Sequence, residues 1–163
     1  MIVTPTEQHQ LASCQRFMLQ YAMLQPAADT RYIGWVVDDH LKMLVAFNAF
    51  MGHACQIHVA MDPGYHYTPK AMLEQVFRYA FSPQGANRRV LIGVVNSLNR
   101  RSMVFCKHLG FKVWSAIPGA HDDGGDIVLF TMSREDCRYI PKQEKEVHYE
   151  QIQVPGVNPL GLH

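Results

Sequence analysis

The segment "RVLIGVVNSLNRRSMVFCKHLGFKVW", Arg89 to Trp114, fixes more of the fold than any other part of the chain. After Arg89 its residues are apolar at both parities, the pattern of a strand covered on both faces. Leu98, Ser102, Phe105 and Leu109 then share one stripe of a helix, with Arg100, Val104 and Lys107 on the opposite side. Asn99 stands where an N-cap belongs and Gly110 where a left-handed C-cap belongs. Phe111 opens another strand at once. A strand, a capped helix and a strand with no loop between them require the helix to lie on a face of the sheet.

The flanking segments extend this frame. "TPTEQHQLASCQRFMLQYAMLQP" reads as a helix with Thr6 as N-cap, an apolar stripe of Leu11, Cys14, Met18 and Tyr21, and Pro26 as its stop. "RYIGWVVDDHLKMLVAFNAFMGHACQIHVAM" carries turn signals at Asp38-Asp39-His40 and Met51-Gly52-His53, which predict a meander of three antiparallel strands. In "DPGYHYTPKAMLEQVFRYAF" the period changes: Thr68 reads as N-cap, Pro69 as first helical residue, and the helix runs to about Phe81. "FKVWSAIP" and "DIVLFTMS", joined by "GAHDDGG", form a closing hairpin. The expected fold is α/β (α+β): a mixed central sheet with an antiparallel meander, crossover helices and that hairpin. From Arg134 onward the chain turns polar and proline-punctuated, so residues 1–140 are expected to be one domain and 141–163 a C-terminal extension with an extended piece at Val147 to Val154.

Composition excludes several classes. A formal net charge of +1 over 163 residues gives no bulk attraction for nucleic acid. Arg88, Arg89, Arg100 and Arg101 lie at element ends without interleaved exposed aromatics, which argues against a nucleic-acid surface. The apolar stretches, such as "MLVAFNAFM", fall far short of the roughly 20 residues that cross a membrane, and "MIVTPTEQHQ" lacks the form of a secretory signal. A cytoplasmic protein is expected. Cys14, Cys55, Cys106 and Cys137 form no C-x-x-C pair and read as reduced thiols. His53, Cys55 and His58 are zinc-ligand types, but on one strand His58 falls on the opposite face from the other two, so no metal is expected.

The run of Asn99, Ser102, Gly110 and Phe111 after a buried strand resembles the GNAT superfamily of acyl-CoA-dependent N-acetyltransferases. The segments "IHVA", "YHYTPKAMLEQVFRYAF", "NRRSMVFCKHLGF" and "MSREDCRYI" are together similar to small members common in bacteriophages and prophages, from about Tyr32 to Ile140. The resemblance implies that the fourth and fifth strands, "CQIHVAM" and "RVLIGVV", splay apart to admit the pantetheine arm of acetyl-CoA. Val59 and Ala60 on the fourth strand, with Asn99 and Ser102 on the following helix, would meet that arm. The pyrophosphate would lie at the helix start from Thr68 to Met72, on the Thr68 hydroxyl, the amides of Lys70, Ala71 and Met72, and the Lys70 charge. The family's glycine-rich signature R/Q-x-x-G-x-G/A is replaced here by "YHYTPKA", and Pro69 has no amide to give, so cofactor affinity below that of a typical member is expected.

The resemblance further implies acetyl transfer to an amine-bearing acceptor, protein or small molecule, by direct attack. His58, in the middle of the fourth strand, is the candidate general base; the alternative is a core histidine bonded to neighbouring backbone. Cys106 occupies the place of a tyrosine that protonates the departing thiolate in many relatives, and it equally fits a buried structural thiol. Tyr32, Trp35 and Tyr65 are either acceptor-pocket walls or packing, Glu74 either an alternative base or a solvated surface carboxylate, and Arg100 and Arg101 either phosphate contacts or a solvated basic face. The rival reading is a catalytically inactive GNAT-fold structural or interaction protein of a bacteriophage. A homo-oligomer built through the C-terminal tail is a further expectation.

Overall fold

The computed structural model of the chain describes residues 1–25 and 27–141. Pro26, and residues 142–163 with the extended piece expected there, lie outside the described residues. Ten elements follow in order: β1 (Ile2–Val3), α1 (Gln8–Ala22), β2 (Arg31–Val37), β3 (His40–Met51), β4 (Ala54–Met61), α2 (Lys70–Phe81), β5 (Val90–Asn96), α3 (Arg100–Leu109), β6 (Lys112–Ile117) and β7 (Ile127–Ser133). The seven strands make one mixed sheet in the order β1-β2-β3-β4-β5-β7-β6. This is the expected architecture, with the addition of β1. Two residues are too few to show a period, and β1 is a strand because Ile2 and Val3 pair with Trp35 and Gly34.

Local chemistry explains the elements. The β2–β3 hairpin turns through Asp38 and Asp39, both at positive φ, which short polar side chains tolerate. Gly110 adopts φ +102 and its amide donates back to the Cys106 and Lys107 carbonyls, which ends α3 and aims Phe111 into the sheet. Two helix starts differ from expectation. Glu7, not Thr6, is the N-cap of α1, because the Gln10 side chain turns back to the Glu7 amide at 3.4 Å. Pro69, not Thr68, is the N-cap of α2. Its φ of −63° suits a helix, but its ψ of 135° is extended, and its carbonyl accepts the Leu73 amide at 3.2 Å. No side chain caps α2, so the Thr68 hydroxyl is not spent on the helix.

The two sheet faces carry different cores. On one, α2 and the end of α3 bury Met72, Val76, Phe77, Phe81 and Leu109 against Phe47, Leu91, Phe130 and Met132. On the other, α1 lays Cys14 and Met18 over Tyr32, Leu44, Ala46 and Ala60. Tyr32 is thus packing, and Trp35 packs against the first core. Tyr65 meets Tyr67 edge to face. Cys55 is fully buried in the first core while His58 looks out of the opposite face of β4, so the two do not converge. Among the described residues no helix is long and apolar enough to cross a membrane.

Candidate active site

The sheet is torn at its centre. β4 and β5 run parallel and pair at only three positions, Ala54 with Val90, Cys55 with Leu91 and Gln56 with Ile92. Beyond Gln56, β4 keeps its other neighbour as far as Met61 opposite Met43, and β5 keeps β7 as far as Asn96 opposite Ile127. The two strands stay in the sheet and part from each other. Backbone groups along a strand point alternately to its two neighbours, so those of Ile57–Met61 and Gly93–Asn96 that point inward face a gap.

A cavity of about 470 Å³ occupies that gap. Its walls come from β4 (Ile57, His58, Val59), β5 (Gly93 to Asn96), the end of α1 (Tyr21 to Met23) and α3 (Asn99, Ser102, Phe105, Cys106). A second hollow of about 310 Å³ shares Tyr21, Val59, Asn99, Ser102 and Phe105 with it and continues to His66, Thr68 and Arg101. Together they make a channel from the torn sheet to the start of α2.

His58 sits at the tear. Its Nε2 lies 2.9 Å from Asn48 Oδ1, a side chain that is itself buried on β3. With the carboxamide oxygen accepting, Nε2 carries the hydrogen and Nδ1 keeps a lone pair. Burial pushes the His58 pKa below its ordinary 6.5, because the low-dielectric surroundings disfavour the charged ring. His58 is therefore neutral at pH 7 and able to take a proton. Asn48 was not singled out in the sequence, although a lone Asn within "LVAFNAFM" is the kind of buried polar group that needs a partner.

α3 contributes a fixed donor. Asn99 Oδ1 accepts the Ser102 amide at 3.0 Å, which is the expected N-cap. That bond orients the carboxamide and leaves Nδ2 as the group available to the channel. Six of the expected site residues meet here: His58, Val59, Asn99, Ser102 and Cys106 line the first cavity, and Thr68 lines the second. The remaining expected residues stand apart from both walls. Ala60 is buried under α1, Met72 is buried in the main core, Ala71 is exposed, and Lys70 is exposed with its Nζ 3.4 Å from Glu74. Arg101 lines the second hollow and its guanidinium donates to His66 Nδ1 at 3.2 Å.

Cys106 is held as a thiol. Burial pushes its pKa up to about 11, since no cationic group offsets the loss of solvent. Two wall residues, His121 and Asp123, come from the loop between β6 and β7 and were read in the sequence only as turn chemistry. Among the described residues no group of three or more His, Cys, Asp or Glu side chains could hold a metal ion.

A seven-stranded mixed sheet parted between its fourth and fifth strands, with helices on both faces, is the fold of the GNAT acetyltransferases. Spermidine N-acetyltransferase from Vibrio cholerae, solved in complex with CoA and spermine, superposes over 86% of this chain and 98% of its own with a TM-score of 0.65 and 10% identity. YncA from Salmonella typhimurium, solved with its cofactor acetyl-CoA, covers 82% of this chain and 92% of its own at a TM-score of 0.64 and 12% identity. A GNAT-family structure from Desulfovibrio desulfuricans matches 82% and 98% at 0.64 and 11% identity. At such identities the likeness establishes the fold. The sequence matches no family model and no curated relative.

Proposed function

We propose that this chain is an acetyl-CoA-dependent N-acetyltransferase acting on an amine-bearing acceptor, with acetyl-CoA as co-substrate. The single observation that carries the reading is the tear: three rungs of β4–β5 pairing followed by a lined cavity with a neutral histidine in its wall. Acetyl-CoA brings an acyl group already activated as a thioester. The inward-facing peptide groups of β4 suit the amides of its pantetheine arm, and Thr68, Arg101 and His66 give the far end of the channel polar donors for phosphate. The free helix start at Lys70, Ala71 and Met72 adds a favourable field nearby.

The residues divide the work. The torn edge of β4 positions the acyl carbonyl, and an amide there polarises it. His58 Nδ1 takes a proton from the attacking amine, with Asn48 holding the ring in the useful tautomer. A thiol at about 11 is a poor proton donor to an ordinary thiolate near 8.5, so Cys106 serves as wall, and the His58 imidazolium is the better source for the leaving sulfur. The spermine bound by the Vibrio cholerae neighbour supports a small-molecule amine as acceptor. The likeness of Tyr32 to Ile140 to phage and prophage acetyltransferases remains a sequence-based part of this proposal. Four free cysteines, three of them buried, support work in a reducing compartment such as the cytoplasm.

Thermal melting with and without acetyl-CoA tests the reading directly. Ligand at 100 times its Kd adds about 2.7 kcal/mol of stability. No rise in Tm at millimolar acetyl-CoA, together with no release of CoA thiol in the presence of amines, overturns it.

A further inference from the structure

The loop between β6 and β7 is fastened to the end of β5. Ser97 Oγ accepts the Asp126 amide at 2.8 Å, and the Ser97 amide donates to the Asp126 carbonyl at 2.9 Å. Asn96 Oδ1 accepts the Leu98 amide at 2.9 Å, which fixes the Asn96 carboxamide so that Nδ2 donates to Asp123 Oδ2 at 2.6 Å. Asp123 Oδ1 accepts the Gly125 amide at 3.0 Å and lies 3.0 Å from His121 Nδ1. A Cβ on Gly125 would fall 2.2 Å from Asn96 Oδ1, so the loop closes this tightly only because residue 125 has no side chain.

This is the arrangement of an oriented base. Three groups meet His121 Nδ1: Asp123 Oδ1 at 3.0 Å, Asn96 Nδ2 at 3.2 Å and the Asp123 amide at 3.5 Å. The carboxylate is the nearest and the one acceptor of the three; in the tautomer it favours, it takes the Nδ1 hydrogen against the two donors, Asn96 holds the carboxylate, and the lone pair lies on Nε2, which has no hydrogen-bond partner among the described residues. His121 and Asp123 line the same cavity as His58, but their side chains are 43% and 48% exposed, in contact with bulk water. The titratable groups facing them are Tyr21 from α1, His58 from β4 and Cys106 from α3, with Asp122 and Asp126 on the loop itself. Among the described residues no lysine or arginine lines this cavity, and its described walls set no such cation against an incoming ammonium.

The reaction needs a second proton acceptor. An alkyl amine with a pKa near that of lysine is free of its extra proton in only about one molecule in 2,500 at pH 7. The ammonium has no lone pair. It must lose one proton before the N–C bond forms and another as it forms; the C–S bond breaks, the thiolate takes up one proton, and one is released to water. We propose that His121, oriented by Asp123 and Asn96, takes the first proton from the acceptor ammonium at the mouth of the cavity and hands it to solvent, leaving the second to His58. The assignment rests on the acetyltransferase reading and deepens it: the acceptor enters as a cation, on the side of α1 and the β6–β7 loop.

The test uses the full chain, thiol release as the assay, and two probe acceptors: n-butylamine, protonated at pH 7, and semicarbazide, whose amine is not. His121→Gln is expected to lose about 10²-fold in kcat/KM for n-butylamine at pH 7, the lower end for a general base. The loss shrinks as pH rises toward the pKa of the amine, and semicarbazide turnover changes only a few-fold. In the free protein, 15N-histidine NMR is expected to show His121 protonated on Nδ1, with that hydrogen-bonded resonance lost in Asp123→Asn. Equal losses for both amines, a loss that does not shrink with pH, or Nε2 protonation overturns the assignment. If acetyl-CoA raises Tm but the wild type acetylates neither amine, the assignment alone falls; if Tm is also unmoved, the acetyltransferase reading falls with it.

Discussion

Two histidines line one cavity and are held in opposite ways. His58, on a central strand, has a neutral carboxamide as its partner; His121, on a loop in contact with water, has a carboxylate. Burying an ion pair in the sheet would cost desolvation on both groups, whereas near water the same pair costs little and gains little. The difference teaches that depth in the fold selects the partner, and the partner selects the proton each ring can take. A buried ring with a neutral neighbour stays uncharged at pH 7, the state that the proposed base requires.

The largest effect is expected from removing the buried member. His58→Ala should reduce turnover by about 10²–10⁴-fold while acetyl-CoA still raises Tm; turnover within a few-fold of wild type breaks the contrast at its root. Making the buried member resemble the exposed one comes next. Asn48→Asp places a charge against His58 and should raise its pKa by about 1–3 pH units, moving the acid limb of kcat/KM upward and lowering activity at pH 7 about tenfold. An acid limb that stays in place means that some other group sets it.

Two smaller effects sharpen the comparison. Stability should report the neutral state of His58: burial lowers its pKa in the folded protein, and the unfolded chain has the ordinary 6.5. Above pH 6.5 neither state binds the extra proton, and the favourable difference is intact. As pH falls below 6.5 the unfolded chain binds it first, so stability declines toward the folded pKa. Tm measured from pH 7.5 to 5.5 should therefore fall less steeply in His58→Gln than in wild type. Cys106→Ser should change turnover by no more than about threefold, and a hundredfold loss would return the thiol to the chemistry.

Much of α3 could be read from the sequence because its signals are local. Asn99 bonds an amide three residues away, and Gly110 closes on carbonyls three and four residues back. The tear and its histidine came through likeness of motif, since strand separation leaves no period of its own. The start of α2 was misplaced because proline fixes φ, not ψ, and Thr68-Pro69 suits both an N-cap followed by N1 and an extended residue followed by an N-cap. His121 and Asp123 were invisible for a different reason. "GAHDDGG" is ordinary turn composition, and its partner Asn96 lies 25 and 27 residues away. Asn48 was legible in principle as a polar residue amid apolar ones, but its partner on β4 is ten residues distant across a hairpin.

Among the described residues, the three rungs joining Ala54–Gln56 to Val90–Ile92 are the whole backbone ladder between β4 and β5, and beyond them the two half-sheets are joined through the core under α2. A molecule seated in the slot beyond them would act as a borrowed strand and restore backbone continuity between the two halves. Amide exchange should then slow on both banks of the slot at once, along Ile57–Met61 and Gly93–Asn96, when it is filled. The guest would be bound and would also splint its host.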